Sequence, residues 1–291
     1  MLQKKFWVGS LLAAFSIILM VSITGCGQNQ PEPEEYTIGD YYPYTENVTM
    51  VYEGQGNEFA SYTTFVDYID GDKIQIRTNN GGTEYVTVMQ NSEGSLVQVY
   101  QVNEMYYKAD LTAKSEPSTE VLLKEPLEVG TKWSLSDGRE REITSIDMAI
   151  ETPYDDFEAL EVTTTKDGTV VEKQYYALDI GLVKSIFVME GDEISSSLKE
   201  LITGAGYEFA VRSFNFNVTD TDIESTFEDK TVTLKTGEGI KDFMTAEFLG
   251  GGLMSENTVI NEMWIEPGSD VANVDFSKEF VTEMNAGTTK E

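Results

Sequence analysis

Apolar and polar positions alternate along much of the chain between residues 36 and 201. Segments such as Lys73 to Thr78 and Thr83 to Gln90 are rich in Thr, Val, Tyr and Ile and place apolar side chains at every second position. This pattern is typical of strands with one solvated face. The predicted strands are 60–69, 73–78, 83–90, 96–102, 131–135, 139–152, 159–166, 169–177 and 182–190.

Four Asx-Gly pairs separate these segments. They are Asp70-Gly71, Asn80-Gly81, Asp137-Gly138 and Asp167-Gly168. Such pairs tolerate the positive φ that tight hairpin turns require. The sequence therefore predicts an antiparallel meander, which we expect to form a curved sheet or half-barrel.

The spacing of apolar residues changes after Leu201 and the small residues Gly204, Ala205 and Gly206. Strands are predicted at 207–218, 231–234, 259–265 and 271–276. Helical spacing is found at 240–248, which ends at the glycines 250–252, and again at 277–284, where Ser277 is the expected N-cap. The order β-β-α-β-β-α predicts a small α+β domain, so we expect a β-domain at 36–203 and an α+β domain at 204–291.

The N-terminus has the composition of a secretory signal. Lys4 and Lys5 precede an apolar run from Phe6 to Ile23. The small residues Thr24 and Gly25 follow, and then the sole cysteine of the chain, Cys26. This arrangement resembles the bacterial lipobox. The resemblance implies cleavage between Gly25 and Cys26, acylation of Cys26 with chains such as palmitate, and anchoring on the extracytoplasmic face of the cell membrane. An uncleaved membrane anchor is the alternative. Residues 27–35 contain no apolar side chain and are expected to form a flexible spacer.

Composition excludes several kinds of chemistry. The chain has no histidine, which rules out Ser-His-Asp and Cys-His catalysis and His-ligated zinc. A net charge of −31 disfavours nucleic acid as a partner. We expect no enzyme activity, no cofactor and no metal. The partners expected are the membrane, through the lipid anchor, and an unidentified protein or cell-wall polymer.

Three local motifs could carry chemistry, and each has a simpler interpretation. Asp155-Asp156 could be a glycosidase pair, but adjacent acids in a loop are the simpler interpretation. The run from Asp220 to Glu224 alternates oxygen side chains but lacks the glycine and the distant glutamate of an EF-hand loop, which favours a plain turn. The glycines 250–252 lack the Gly-Lys-Ser/Thr sequence of a phosphate-binding loop and are interpreted as a helix stop.

Two further resemblances concern the folded part of the chain. Tyr41-Tyr42-Pro43-Tyr44, Val129 to Trp133 and Tyr175 to Ala177 resemble the opening β-domain of many bacterial extracytoplasmic lipoproteins. The C-terminal segments Val274-Asp275-Phe276-Ser277-Lys278 and Asn285-Ala286-Gly287 resemble the GerM-type domain of sporulation and germination proteins. The residues that match this family motif are Asp275, Ser277, Lys278, Asn285 and Gly287.

The GerM-type resemblance implies an envelope protein of Gram-positive bacteria linked to sporulation or germination, with an interaction role. Because the family's further helix and strand do not follow before Glu291, we expect this domain to be incomplete. Two other functions stay open: a carboxylate-dependent hydrolase of cell-wall glycans, and a module that binds a small apolar ligand or lipid inside the curved sheet.

Overall fold

One large antiparallel sheet dominates the computed structural model, which describes residues 35–116, 119–189, 191–218, 223–250, 253–265 and 271–287. Within those ranges the sheet has twelve strands. A short helix, α1 (Ile38–Tyr41), precedes them. The strands are β1 (Val48–Gln55), β2 (Tyr62–Asp70), β3 (Lys73–Asn79), β4 (Glu84–Ser92), β5 (Ser95–Asn103), β6 (Glu120–Lys124), β7 (Lys132–Ser134), β8 (Glu140–Glu151), β9 (Asp156–Lys166), β10 (Thr169–Ala177), β11 (Gly181–Met189) and β12 (Asp192–Thr203). The predicted antiparallel curved sheet is confirmed.

The strand order is β6-β5-β4-β3-β2-β1-β12-β11-β10-β9-β8-β7. Two six-stranded meanders are therefore joined by the pairing of β1 with β12, in which Val48 lies opposite Thr203. The outermost strands, β6 and β7, are connected by the short segment 125–131. The indole nitrogen of Trp133 and the Nη1 atom of Arg141 both donate to the carbonyl oxygen of Val121, at 3.0 and 2.6 Å. These side chains bring the two edges together, and the sheet nearly closes on itself.

The four predicted Asx-Gly turns all lie in hairpin loops, between β2 and β3, β3 and β4, β7 and β8, and β9 and β10. In the last of these, Asp167 and Gly168 both have positive φ, 51° and 79°. A two-residue turn of that shape matches the twist of the flanking strands. Strands β1, β6 and β12 and helix α1 were not predicted from the sequence.

The two faces of the sheet have different surroundings. On the inner face, Ile74, Leu160 and Tyr176 belong to a buried cluster that also includes Ile38 and Tyr41 of α1. On the outer face of β4 and β5, buried side chains pack under the segment 104–112. Val86, Val88 and Val99 of these strands form one buried cluster with Met105 and Leu111 of that segment. Strands such as β4 and β9 contain runs of consecutive buried residues and are covered on both faces, whereas β8 and β11 keep the alternation that the sequence predicts.

A β-bulge in β2 connects the sheet to the C-terminal segment. The pairing of β2 with β3 shifts between Val66 and Tyr68, which leaves Asp67 as the extra residue. The carbonyl of Asp67 accepts a hydrogen bond from the backbone of Gly237 at 2.9 Å. Thr236 Oγ1 donates to the carbonyl of Val66 at 2.7 Å. The bulge therefore leaves the carbonyls of Val66 and Asp67 free to accept hydrogen bonds from Thr236 and Gly237 of the C-terminal segment.

The C-terminal segment contains β13 (Tyr207–Val218), β14 (Ile223–Leu234), α2 (Ile240–Gly250), β15 (Ile260–Ile265), β16 (Ala272–Phe276) and α3 (Glu279–Gly287). The observed order is the predicted β-β-α-β-β-α, with two separate two-stranded sheets, β13-β14 and β15-β16. Strand β14 is longer than the predicted 231–234 because it pairs with the full length of β13. The boundary near residue 203 stays a prediction.

Ser277 does not take the predicted N-cap position. Helix α3 begins at Glu279, and the Ser277 hydroxyl accepts a hydrogen bond from the backbone nitrogen of Val259 at 3.0 Å. The backbone nitrogen of Ser277 donates to the carbonyl of Val259 at 2.8 Å. Ser277 therefore fixes the entry of α3 against the start of β15.

Candidate functional site

A cavity of about 480 Å³ lies on the inner face of the curved sheet. Its walls are formed by residues of β1 to β6 and β10 to β12, by the turn between β10 and β11, and by the segment that follows α1. Aliphatic side chains and tyrosines dominate the walls, among them Tyr42, Tyr52, Tyr62, Ile74, Ile76 and Tyr176. Because a packed interior has few voids larger than a water molecule, a space of this size sets the inner face apart from an ordinary core.

The tyrosine rings form the apolar part of the wall. Tyr52 and Tyr62 are stacked, with ring centroids 4.4 Å apart and planes 21° apart. The ring centroids of Tyr42 and Tyr176 are 6.5 Å apart. Burial raises the pKa of all four hydroxyls above the usual tyrosine value. A tyrosine hydroxyl is uncharged at neutral pH even without this shift, and it can act as a hydrogen-bond donor or acceptor.

The tyrosine hydroxyls differ in their hydrogen bonds. Tyr52 donates to the carbonyl of Leu182 at 2.7 Å, and Tyr176 donates to Gln174 Oε1 at 3.1 Å. Among the described residues, the hydroxyls of Tyr42 and Tyr62 have no such partner, while every fully buried polar side-chain atom has one. Both residues line the cavity, so their hydroxyls are available to bind a ligand there.

The charge of the wall restricts what the cavity can hold. Of the described residues that line it, Asp179 is the one with a charged side chain, and it is exposed. Lysine and arginine are absent from the same set. A buried anion needs a partner that compensates its lost hydration. The walls therefore suit an uncharged molecule better than an anionic one.

A network of buried charges lies on the opposite face of the sheet. Arg77, 1% exposed, is 3.0 Å from the fully buried Asp67 and 3.1 Å from Glu84. Its guanidinium carbon is 4.7 Å from the ring centroid of Tyr207, whose hydroxyl donates to Glu84 at 2.8 Å. Because these contacts join β2, β3 and β4 to the start of β13, this network holds the C-terminal segment against the sheet.

Lys108 completes the buried network. Its ammonium group donates to the carbonyl of Lys235 and lies 5.0 Å from the ring centroid of Tyr68. Burial lowers the pKa of Lys108 to about 8. Burial also raises the pKa of the Asp67 carboxyl, and the positive charges of Arg77 and Lys108 partly oppose this rise. Each charge in this network already has partners, which favours a structural role over a catalytic one.

The acidic pair Asp155-Asp156 lies where the exposed turn after β8 meets β9, with Asp156 as the first residue of β9. The Asp155 carboxylate accepts a hydrogen bond from the backbone of Asp156 at 2.9 Å, and the backbone of Asp155 is bonded to Thr152. These contacts are those of a turn. Within the described residues, no three His, Cys, Asp or Glu side chains are close enough together to hold a metal ion.

The residues that match the GerM-type motif lie in β16, in α3 and in the two-residue link between them. Asp275 accepts a hydrogen bond from Asn261 at 3.2 Å, and Lys278 is 3.9 Å from Glu279 at the surface. Asn285 and Gly287 lie in the last turns of α3. Among the described residues that line the cavity, none belongs to this motif, and the role of these positions stays a prediction.

Several predicted features lie outside the described residues. They are Gly25, Cys26, the spacer before residue 35, most of the acidic run 220–224 and the last two of the three glycines 250–252. In the part of the chain that the structure covers, no helix is both long enough and apolar enough to cross a bilayer.

Comparison with known proteins adds little to this description. No protein-family model matches the chain, the GerM-type domain included, and no curated protein matches it. One similar solved structure is that of a protein from Parabacteroides distasonis that is provisionally described as a lipoprotein. Its sequence is 14% identical to this chain, and the match covers 56% of this chain and 98% of that chain. The TM-score is 0.31, which supports no inference about fold or function.

The sequence alone did not single out the cavity residues. In the sequence, Tyr42 stands out only as part of Tyr41-Tyr42-Pro43-Tyr44, and Tyr62 lies within the predicted strand 60–69. The available signal was the alternation of Tyr62, Thr64 and Val66 on one face of β2, which all line the cavity. That alternation shows that they share a face, but it does not show that the face surrounds an open space.

Proposed function

We propose that the protein is a non-enzymatic, lipid-anchored envelope protein whose β-domain binds an uncharged, mainly apolar small molecule. The cavity of about 480 Å³ is the observation that carries the proposal. Small-molecule sites typically measure about 300–1,000 Å³ and combine apolar walls with a few polar groups. The free hydroxyls of Tyr42 and Tyr62 would supply such polar groups.

The sequence supports the anchoring half of the proposal. Acylation of Cys26 would hold the protein on the extracytoplasmic face of the cell membrane, and the polar residues 27–35 would separate the sheet from the bilayer. In this arrangement the cavity takes up a molecule that is poorly soluble in water close to the membrane surface. The protein then acts as a binding module of the envelope.

The C-terminal segment 204–291 has a separate part in the proposal. Its resemblance to the GerM-type domain supports contact with a protein or a cell-wall polymer and a link to sporulation or germination. Positions Asp275, Ser277 and Lys278 lie together in the chain at the end of β16, at or near the surface, where a partner could reach them.

Hydrolysis of cell-wall glycans is the competing function. Asp155 and Asp156 would be its catalytic acids. Both are exposed to bulk water, whereas catalytic acids ordinarily act in a site that excludes it. Turnover of muropeptides by the pure protein, abolished by Asp155→Asn or Asp156→Asn, would instead favour an enzyme.

A pair of matched variants tests the binding proposal. Thr64 lines the cavity, whereas its neighbour Thr63 is on the opposite face of β2. Thr64→Phe should fill part of the cavity, and Thr63→Phe makes the same chemical change without entering it. Binding of the neutral dye Nile red to the mature protein is measured by its fluorescence in both variants.

Wild-type protein and Thr63→Phe should bind the dye with similar affinity, and Thr64→Phe should bind it at least tenfold more weakly. Urea unfolding of both variants controls for loss of structure. Equal dye binding by both variants, or none by the folded wild type, contradicts the proposal.

A further inference from the structure

A β-bulge in β5 places two glutamines on the wall of the cavity. The pairing of β4 with β5 shifts between Val88 and Met89, so Val99 is the extra residue of β5. A bulge displaces the alternation of side chains by one position. Gln98 and Gln101 consequently both line the cavity, although their separation of three residues would put them on opposite faces of a regular strand.

The same two glutamines line a second, more polar space of about 410 Å³. This space, which we call the vestibule, lies beside the outermost strands of the sheet and is also lined by Asn103, Glu120, Asp137 and Arg139. The Gln98 amide nitrogen donates to Gln101 Oε1 at 3.2 Å, and the Gln101 amide nitrogen donates to Asn103 Oδ1 at 3.2 Å. A row of amides thus marks the border between the apolar cavity and the vestibule.

The vestibule is polar, but its charges are unfavourable for an anion. Arg139 is its one basic residue among those described, and it is paired with Asp137 at 2.7 Å and with Glu120 at 3.3 Å. Glu116 adds a third acid to the lining. A carboxylate or phosphate in the vestibule would face three acids and one cation that already has partners, which disfavours it.

We propose that the ligand is a neutral amphiphile, with its apolar chain in the cavity and a hydroxylated or amide head in the vestibule, bound by Gln98 and Gln101. This inference rests on the proposed function, since it specifies the molecule that the cavity takes. The amide groups can donate and accept hydrogen bonds at once, so they match the hydroxyl groups of such a head. The site is apolar inside and polar at its border, and a neutral amphiphile has the same division between its chain and its head.

Three probes with the same ten-carbon chain test the inference by calorimetric titration of the mature protein. They are monodecanoylglycerol, which has a neutral hydroxylated head, decanol, which has a minimal head, and decanoate at pH 8, which is anionic. Monodecanoylglycerol should bind roughly two- to tenfold more tightly than decanol, because one or two net hydrogen bonds are added. Decanoate should bind more weakly than both.

The variants Gln98→Leu and Gln101→Leu should remove the advantage of monodecanoylglycerol over decanol and leave decanol binding nearly unchanged. Thr87→Val is the matched control, because Thr87 lines the cavity but not the vestibule, and it should keep the advantage. The relative affinities of the three probes for the wild-type protein test the inference even if a glutamine variant fails to fold.

The outcomes separate the two proposals. If Nile red and decanol bind in the cavity but monodecanoylglycerol has no advantage, the head-group inference is wrong and the cavity proposal stands. If decanoate binds most tightly, both the head-group inference and the proposal of an uncharged ligand are wrong. If neither the dye nor any of the three probes binds, the proposed function itself is wrong.

Discussion

Replacing Arg77 with methionine should destabilise the protein strongly at neutral pH. Arg77 is 1% exposed and Asp67 is fully buried, with 3.0 Å between Arg77 Nη2 and Asp67 Oδ2. Arg77 also donates to the carbonyl oxygens of Met105 and Tyr107. Methionine preserves the apolar stem but removes the charge and every one of these donors, so the carboxylate of Asp67 loses its main partner.

The size of the effect follows from burial. Removal of one partner from a buried ion pair typically costs about 3–5 kcal/mol, because the other charge is left without compensation. Arg139→Met is the matched control, since Arg139 is paired with Asp137 and Glu120 near the surface, at 25% side-chain exposure. Exposed pairs of that kind contribute about 0–1 kcal/mol. The free energies of unfolding of the two variants should therefore differ by about 2–5 kcal/mol.

The penalty of Arg77→Met should shrink in acid. Burial already raises the pKa of Asp67 above its usual value, and loss of Arg77 should raise it further. An acid with a raised pKa in the folded state holds its proton where the unfolded chain has released it, so the stability of the folded state falls as pH rises through that window. Lys108, which also faces Asp67, opposes the effect without abolishing it. The difference from wild type should be largest near pH 7 and smaller near pH 5.

Urea unfolding at both pH values measures these differences directly. The reasoning is refuted if Arg77→Met costs no more than Arg139→Met at pH 7. It is equally refuted if the penalty of Arg77→Met grows as the pH is lowered from 7 to 5.

Three further changes test other parts of the account. Cys26→Ser should abolish acylation, because a hydroxyl does not replace the thiol, and mass spectrometry of wild type that shows an unmodified Cys26 would contradict this. Thr236→Val should lower the free energy of unfolding by about 1–3 kcal/mol, because it leaves the Asn47 backbone nitrogen and the Val66 carbonyl without their partner; no change in urea unfolding would contradict it. Trp133→Phe should cost about 0.5–1.5 kcal/mol by the same measurement, since it removes one of the bonds between the two sheet edges, and an unchanged midpoint would contradict that.

The sequence predicted the hairpins because their signals are local. Each Asx-Gly pair and the strands on both sides of it lie within about twenty residues, so turn chemistry and alternation could be combined. Strand β12 has no such signal, because the run Ser195 to Ser197 and the flanking charges resemble a loop in composition. Its place in the sheet comes from pairing with β1, nearly 150 residues earlier.

The candidate site was less predictable than the fold. Alternation assigns Tyr62 and Thr64 to one face of β2, but whether that face is packed or open depends on the curvature of the whole sheet. The bulge at Val99 that turns Gln98 and Gln101 toward the same space is a property of the pairing with β4. Neither property is encoded within a single segment of the chain.

The most direct test of the account is a crystal structure of the mature protein grown with saturating monodecanoylglycerol. The account predicts an acyl chain within the curved sheet, against the stacked rings of Tyr52 and Tyr62, with the glycerol head beside Gln98 and Gln101. A cavity that stays free of the probe at saturation, or a probe bound only at the outer surface, would contradict the central claim that this sheet is built to hold a neutral apolar ligand.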